Sequence, residues 1–338
     1  MDLAPVYYDV EALRENEFPL SKEFTYLNHA SISPLPQRAE KAAHEAITHL
    51  ANNAFAFWGE QVVPIFNQFL EEGRRYLNAS ETNEICPITS TSAGLNAVAN
   101  AIQWREGDQV ILCDVEFPSN VYPWLAQERH GVEVKIVPAQ HGTLTVELLE
   151  REVTSRTRLI AVSAVQFFTG AKANLHALGE FCRQHDILFA VDAIQAIGHM
   201  PINVEAMHID ILASGGQKSL MALTGVGLLY VRRSAADKMI PSSIGPNATE
   251  DWEFWLHYNP KPLEGAHRFM SGTFNVPGLF TVVESLRLFE ELGREHIDAY
   301  TTALSTLAIE KLVEKGFTVL TPYASQYHGP IVTFQYAT

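Results

Sequence analysis

The chain has 338 residues, 47% of them hydrophobic and 19% charged, with 24 basic against 39 acidic side chains and a formal net charge of −15. This is an ordinary globular composition, with length for one large core or for a large domain beside a smaller one. The acidic balance excludes nucleic acid as a partner, since that binding is driven by neutralising phosphates, and the acids are spread along the chain as on a solvated surface.

The first 25 residues read as an N-terminal arm. MDLAPVYYDVEALRENEF carries several acids and no apolar core segment, so it is not a signal peptide. Seven short apolar runs follow, at 84–90, 109–115, 133–139, 158–165, 187–194, 210–216 and 225–233. Their near-continuous apolar character predicts strands of a sheet covered on both faces. Helices are expected near 92–104, 119–130, 146–153 and 175–185. Alternation of strand and helix argues an α/β domain with a largely parallel sheet. Cys86, Cys113 and Cys182 have no paired spacing, which fits a reducing, cytoplasmic setting. The apolar stretch 211–231 is long enough to raise a membrane question. It contains Gly215, Gly216, Gln217, Lys218, Gly225 and Gly227, so two buried strands around a glycine loop fit better than a span.

From 251 to 278 the rhythm breaks into an aromatic, proline-containing excursion, too aromatic for a flexible linker. Helices are expected at 278–293 and 295–315, then two strands in GFTVLTPYASQYHGPIVTFQYAT. The expected division is a large domain over 26–278 and a small α+β domain over 279–338. The sequence ends directly after the second of those strands, so the small domain is expected to be partial.

Lys218 is the only charged residue between Ile211 and Val231. Desolvation lowers the pKa of an ammonium, and a neutral amine attacks carbonyls; a lysine that forms a Schiff base with an aldehyde cofactor is a recurring use of such a setting. Asp192 closes the run ILFAVD. A carboxylate there is costly unless it meets a cation, and the protonated ring nitrogen of pyridoxal phosphate (PLP) is one such cation. The plain alternative for Asp192 is a helix N-cap. TSTSAGLNAV follows the first strand and opens a helix, so Thr91, Ser92, Ala93 and Gly94 offer backbone N–H groups and two hydroxyls to a phosphate. An ordinary serine cap reads the same. Phe117 could stack on a planar ring or belong to the core. Gln166 and Gln195 could each hydrogen-bond a ring substituent. The thirteen histidines show no metal-ligand spacing with carboxylates, and there is no nucleophile elbow or Walker loop.

Taken together, YLNHASISPLP (26–36), VDAIQAIGH (191–199), SGGQK (214–218) with TGVGLLYVRR (224–233), and SGTFNVPG (271–278) resemble the class V aminotransferases. These are PLP enzymes of fold type I, and the resemblance lies toward the cysteine desulfurase and isopenicillin N epimerase-like branch. It runs from residue 26 to about 338. It implies Lys218 as the Schiff-base lysine, Asp192 on the pyridinium nitrogen and Gln195 on the ring hydroxyl. Thr91 and Ser92 would hold the phosphate. Gly272 and Thr273 would reach the phosphate of a second subunit in a homodimer. Asn28, His29 and Ala30 would lie near an amino-acid substrate. Two positions depart from the pattern: Gln217 stands where many relatives have a phosphate-contacting histidine, and Phe117 where the desulfurase branch stacks a histidine. None of the three cysteines matches the desulfurase nucleophile. The substrate-carboxylate arginine of the family lies beyond residue 338, unless Arg268 or another arginine serves.

The leading expectation is therefore a PLP enzyme acting at the α-carbon of an amino acid, by transamination, epimerisation or elimination. Its alternatives are a cysteine desulfurase, a PLP-binding protein with little activity for want of the C-terminal substrate segment, and a nucleotide-binding α/β domain using the 91–94 turn. The last gives no reason for Lys218 and Asp192.

Overall fold

The computed structural model describes residues 7–336 apart from 252 and 255. The first six residues of the expected arm, the two tryptophans of the 251–278 excursion and the last two residues lie outside the described residues.

Each of the seven apolar runs forms a strand: β1 (Ile85–Ile88), β2 (Gln109–Cys113), β3 (Glu133–Val137), β4 (Thr157–Ser163), β5 (Leu188–Asp192), β6 (Ile211–Gly215) and β7 (Gly227–Val231). They form one sheet in the order β1-β7-β6-β5-β4-β2-β3. All neighbours pair parallel except β7, which is antiparallel to both β6 and β1. The runs are apolar along their whole length because both faces are covered. Along β5, Phe189 and Val191 face one core cluster and Ala190, between them, faces the other. On β6, Leu212 and its neighbours Ile211 and Ala213 divide the same way, as the two-residue period of a strand requires. The result is a mixed α/β fold, a mainly parallel sheet between helical layers. A small antiparallel pair, Thr318–Val319 with Phe334–Gln335, stands apart near the C-terminus. Among the described residues no helix is long and apolar enough to cross a membrane.

The helices differ more from expectation. The stretch near 119–130 is not one helix but three short pieces, Pro118–Asn120, Tyr122–Leu125 and Ala126–His130. Pro118 and Pro123 each sit in the first turn of their piece. Proline lacks an N–H and is tolerated only there, so each one restarts the chain. The helix expected over 92–104 runs Thr91–Ala99. Two helices not expected from the sequence, Gln37–Asn52 and Val63–Leu77, pack with Val276–Leu292 over the sheet.

The turns after β5 and β6 are locked together. A Cβ added at Gly198 would meet the Ser219 carbonyl oxygen at 1.7 Å. The Ser219 hydroxyl donates to the Ile194 carbonyl at 2.8 Å, and Ser219 directly follows Lys218. Only glycine allows this approach. Gly198→Ala is therefore expected to destabilise the protein by about 1–3 kcal/mol, the usual range for overpacking, read as a lower denaturant midpoint at unchanged slope. A wild-type midpoint would show that the two turns separate freely.

Candidate active site at the carboxyl ends of the strands

Strands β1, β2, β4, β5 and β6 run in one direction, so their carboxyl ends share one edge of the sheet. In open α/β sheets that edge holds the ligand crevice. The segments meeting there are Ser90–Ala93 after β1, Glu116 and Phe117 after β2, Gln166 and Phe167 after β4, Asp192 and Gln195 at the end of β5, and Gln217 and Lys218 after β6. Residues far apart in sequence are brought together by strand direction alone.

Lys218 is half-buried, with its Nζ over the Phe117 ring at 5.1 Å from the centroid. Burial lowers its pKa from the usual lysine value, and the charge of Asp192 opposes that effect. Asp192 is 2% exposed. Its Oδ1 accepts from the Ile194 N–H at 3.0 Å, a local turn that takes up one oxygen. Its Oδ2 is buried with no partner. Burial pushes this carboxyl up to about 7; the Ile194 N–H pulls it down, Glu116 adds to the rise, and Lys218 opposes it. A carboxylate oxygen sealed from water is costly unless it meets a donor. A protonated ring nitrogen beside a Schiff-base lysine is that donor, so the residues fit PLP.

The phosphate end is built on the helix Thr91–Ala99. Ser90 caps it, its Oγ accepting from the Ala93 N–H at 3.1 Å, which leaves the Thr91 and Ser92 N–H groups at the open end. The Thr91 hydroxyl is buried and accepts from the Gly215 N–H at 2.8 Å, tying this helix to β6. The Ser92 hydroxyl instead pairs with Ser119 at 2.7 Å. Gly272 and Thr273 line a cavity of about 410 Å³ on the same helix, together with Ala93 and Asn96.

The Gln195 amide donates to the Ala30 carbonyl at 2.8 Å, and the Ser33 N–H donates to the Gln217 carbonyl at 2.9 Å. These two bonds bring Asn28, His29 and Ala30 to the site. Gln166 is placed differently from its expected role on a ring substituent. It is fully buried, and its Nε2 donates to Glu116 Oε1 at 2.5 Å. Glu116, not singled out in the sequence, also accepts from the Ser163 N–H (2.9 Å), the Ser163 hydroxyl (2.5 Å) and Asn120 Nδ2 (2.8 Å). The Gln166 Nε2 is engaged by that carboxylate, while its Oε1 is buried without a partner. Arg268 is likewise spent, on the Gly265 and Met239 carbonyls and on Asp237, so it has no donor directed to a substrate. All three cysteines are free and buried, and burial raises each thiol's pKa. No cluster of metal-ligating side chains occurs among the described residues.

Residues 25–338 match the family described as Aminotransferase class-V. A probable cysteine desulfurase of Pyrococcus abyssi is 28% identical over 328 residues, covering 94% of this chain and 80% of the relative. The apo structure of a cysteine desulfurase from Thermococcus onnurineus superposes with a TM-score of 0.85 at 25% identity, over 99% of this chain and 84% of that one. A mutant of C-DES, solved with glycine covalently linked to its PLP cofactor, shares the fold at a TM-score of 0.83 and 22% identity, over 93% of this chain and 84% of that one.

In the cofactor-free protein the Asp192 carboxyl ionises near 7, against 3.8 for the free side chain. Between those values the folded state holds a proton that the unfolded state has lost. Stability therefore falls as pH rises from about 4 to about 7, and the loss is complete above that. Asp192→Asn removes the titration, so relative to wild type the cofactor-free variant should gain up to about 4 kcal/mol between pH 4 and pH 8. Urea unfolding of both proteins at the two pH values checks this, and a difference independent of pH would refute the perturbed carboxyl.

Proposed function

The chain belongs to the class-V aminotransferase family and is a PLP-dependent enzyme, and on that premise we propose that it acts at the α-carbon of an amino acid with Lys218 as its central residue. The observation that carries this reading is the pairing, on adjacent strands, of a half-buried lysine with a carboxylate whose second oxygen is buried and unpartnered. When bound, PLP supplies a cationic ring that draws electrons from the bonds to the α-carbon.

The chain's own residues then divide the work. Lys218 Nζ would hold the cofactor's aldehyde, and as a free amine it would take or return the α-proton. Burial lowers its pKa and so favours the neutral amine that such an exchange needs. Asp192 Oδ2, buried and unpartnered, would keep the ring nitrogen protonated. Phe117, whose ring lies beneath the Lys218 amine, would be the platform for the cofactor ring. The N–H groups of Thr91 and Ser92, with the Ser92 and Ser119 hydroxyls, hold the phosphate. Gln195 fixes Ala30, and through it Asn28 and His29, at the substrate side. Phe117 has no proton to give, which leaves that task to Lys218. Transamination, epimerisation and elimination all begin with this proton transfer.

Desulfuration of cysteine is the second reading, favoured by relatives that carry that name. Cys86, Cys113 and Cys182 are not its acceptor thiol, because each is buried and held protonated. The same proposal includes a homodimer in which the exposed Gly272 and Thr273 serve the neighbouring subunit. It also moves the division between domains to Gly293, because the expected boundary at 278 falls inside the helix Val276–Leu292, which packs on the large domain.

Borohydride treatment of the PLP-loaded protein should fix the cofactor on Lys218, found by peptide mapping, and Lys218→Ala should carry no label. Exchange of the substrate α-proton with deuterated solvent should fall about 100-fold or more in that variant. Label on another lysine overturns the assignment. Alanine and sulfane sulfur from cysteine, the sulfur released as sulfide only when a thiol reductant such as dithiothreitol is added, would select the second reading; a keto acid, a racemised amino acid or ammonia release would select the first. Light scattering should give twice the chain mass, and a monomer at working concentration would remove the shared-site proposal.

A further inference from the structure

We propose that this enzyme selects amino acids with apolar side chains, by means of a wall formed by Phe117, Phe167 and Phe168. The inference rests on Lys218 as the reacting amine and goes beyond it by naming the substrate class.

The wall starts at the amine. Lys218 Nζ lies 5.1 Å from the Phe117 centroid. Phe167 meets Phe117 edge to face at 5.0 Å, and Phe168 continues at 6.2 Å from Phe167. Their exposures are 37%, 37% and 50%, so the surface runs outward from the amine to solvent. The rings thus extend from the Lys218 amine to the surface, and a substrate side chain directed along them would lie against Phe167 and Phe168. Contiguous exposed rings beside a reactive group mark a binding surface rather than a stray surface residue.

The wall is held in place from behind. Phe117 and Phe167 follow the neighbouring strands β2 and β4, and each is preceded by a polar residue, Glu116 and Gln166. Both polar side chains turn inward and bond to each other at 2.5 Å. Ser163, Asn120 and the Cys113 thiol supply the remaining donors to Glu116. This buried clasp fixes the two loops side by side with the rings on the outside. The opposite arrangement would present a carboxylate and an amide to the substrate. Lys172, paired with Val165 just before the wall, offers nothing to a charged side chain, because Asp298 binds it at 2.8 Å. A charged side chain on the wall would lose hydration with no partner in return, whereas each methylene laid against it should tighten binding about three- to fourfold.

The test is a titration of the PLP-loaded protein with alanine, 2-aminobutyrate, norvaline, norleucine, phenylalanine, aspartate and lysine, reading the dissociation constant from the change in cofactor absorbance. Binding should tighten about three- to fourfold per methylene, with phenylalanine among the tightest and with aspartate and lysine weaker than alanine. Phe167→Ser should flatten the series while cofactor loading on Lys218 and the circular dichroism spectrum stay as in wild type. Phe168→Ser, at the more exposed ring, should do the same to a smaller degree if the first variant folds poorly. A flat series in wild type, or aspartate or lysine binding as tightly as norleucine, overturns the proposal and would mean that another segment or a second copy covers the wall. Failure to load PLP on Lys218, or silence toward every amino acid, is a different result: it removes the reading on which the proposal stands, and the proposal with it.

Discussion

A carboxylate oxygen buried without a partner is the constraint on which this site turns. Asp192 closes a central strand, one oxygen held by its own turn and the other left bare. Glu116, a second buried carboxylate at the end of a nearby strand, is satisfied by five neutral donors from Ser163, Asn120, Gln166 and Cys113. The two acids answer the cost of burial in opposite ways. Glu116 is complete as the chain folds and serves as structure. Asp192 is left incomplete as the chain folds, and its bare oxygen offers a place to a cation.

The sheet makes this arrangement affordable. A parallel sheet collects the carboxyl ends of strands that lie far apart in sequence, so an acid, a lysine, a capped helix and an aromatic wall converge without long loops. The turns themselves are rigid because they bind one another. Thr91 is tied to Gly215, Gln195 to Ala30, and the Gly198 turn to the carbonyl of Ser219. The backbone positions from which Lys218 and Asp192 project are therefore set by packing.

Much of this was legible beforehand. All seven strands could be read because a strand covered on both faces must be apolar throughout, a local property of sequence. Lys218 stood out for a related reason, a lone charge in a segment otherwise destined for the core. The helical layer was harder. Pro118 and Pro123 break the stretch after β2 into three pieces, although its polarity suits one helix. The helices Gln37–Asn52 and Val63–Leu77 are stabilised by packing against Val276–Leu292, a partner more than 200 residues away.

The sequence by itself determined the fold class, the strands, the family and the two residues most improbable for a core, because hydrophobic pattern and uncompensated charge are written residue by residue. Which polar groups remain free was decided only by the tertiary structure. Nothing in the local sequence says that the Gln166 Nε2 donates to Glu116 and Arg268 to Asp237, that Ser119 joins Ser92, or that Phe117 and Phe167 stand together with their polar neighbours turned inward. A hydrogen bond between loops is a relation between distant residues, and it exists only once strand order and register have placed them within reach.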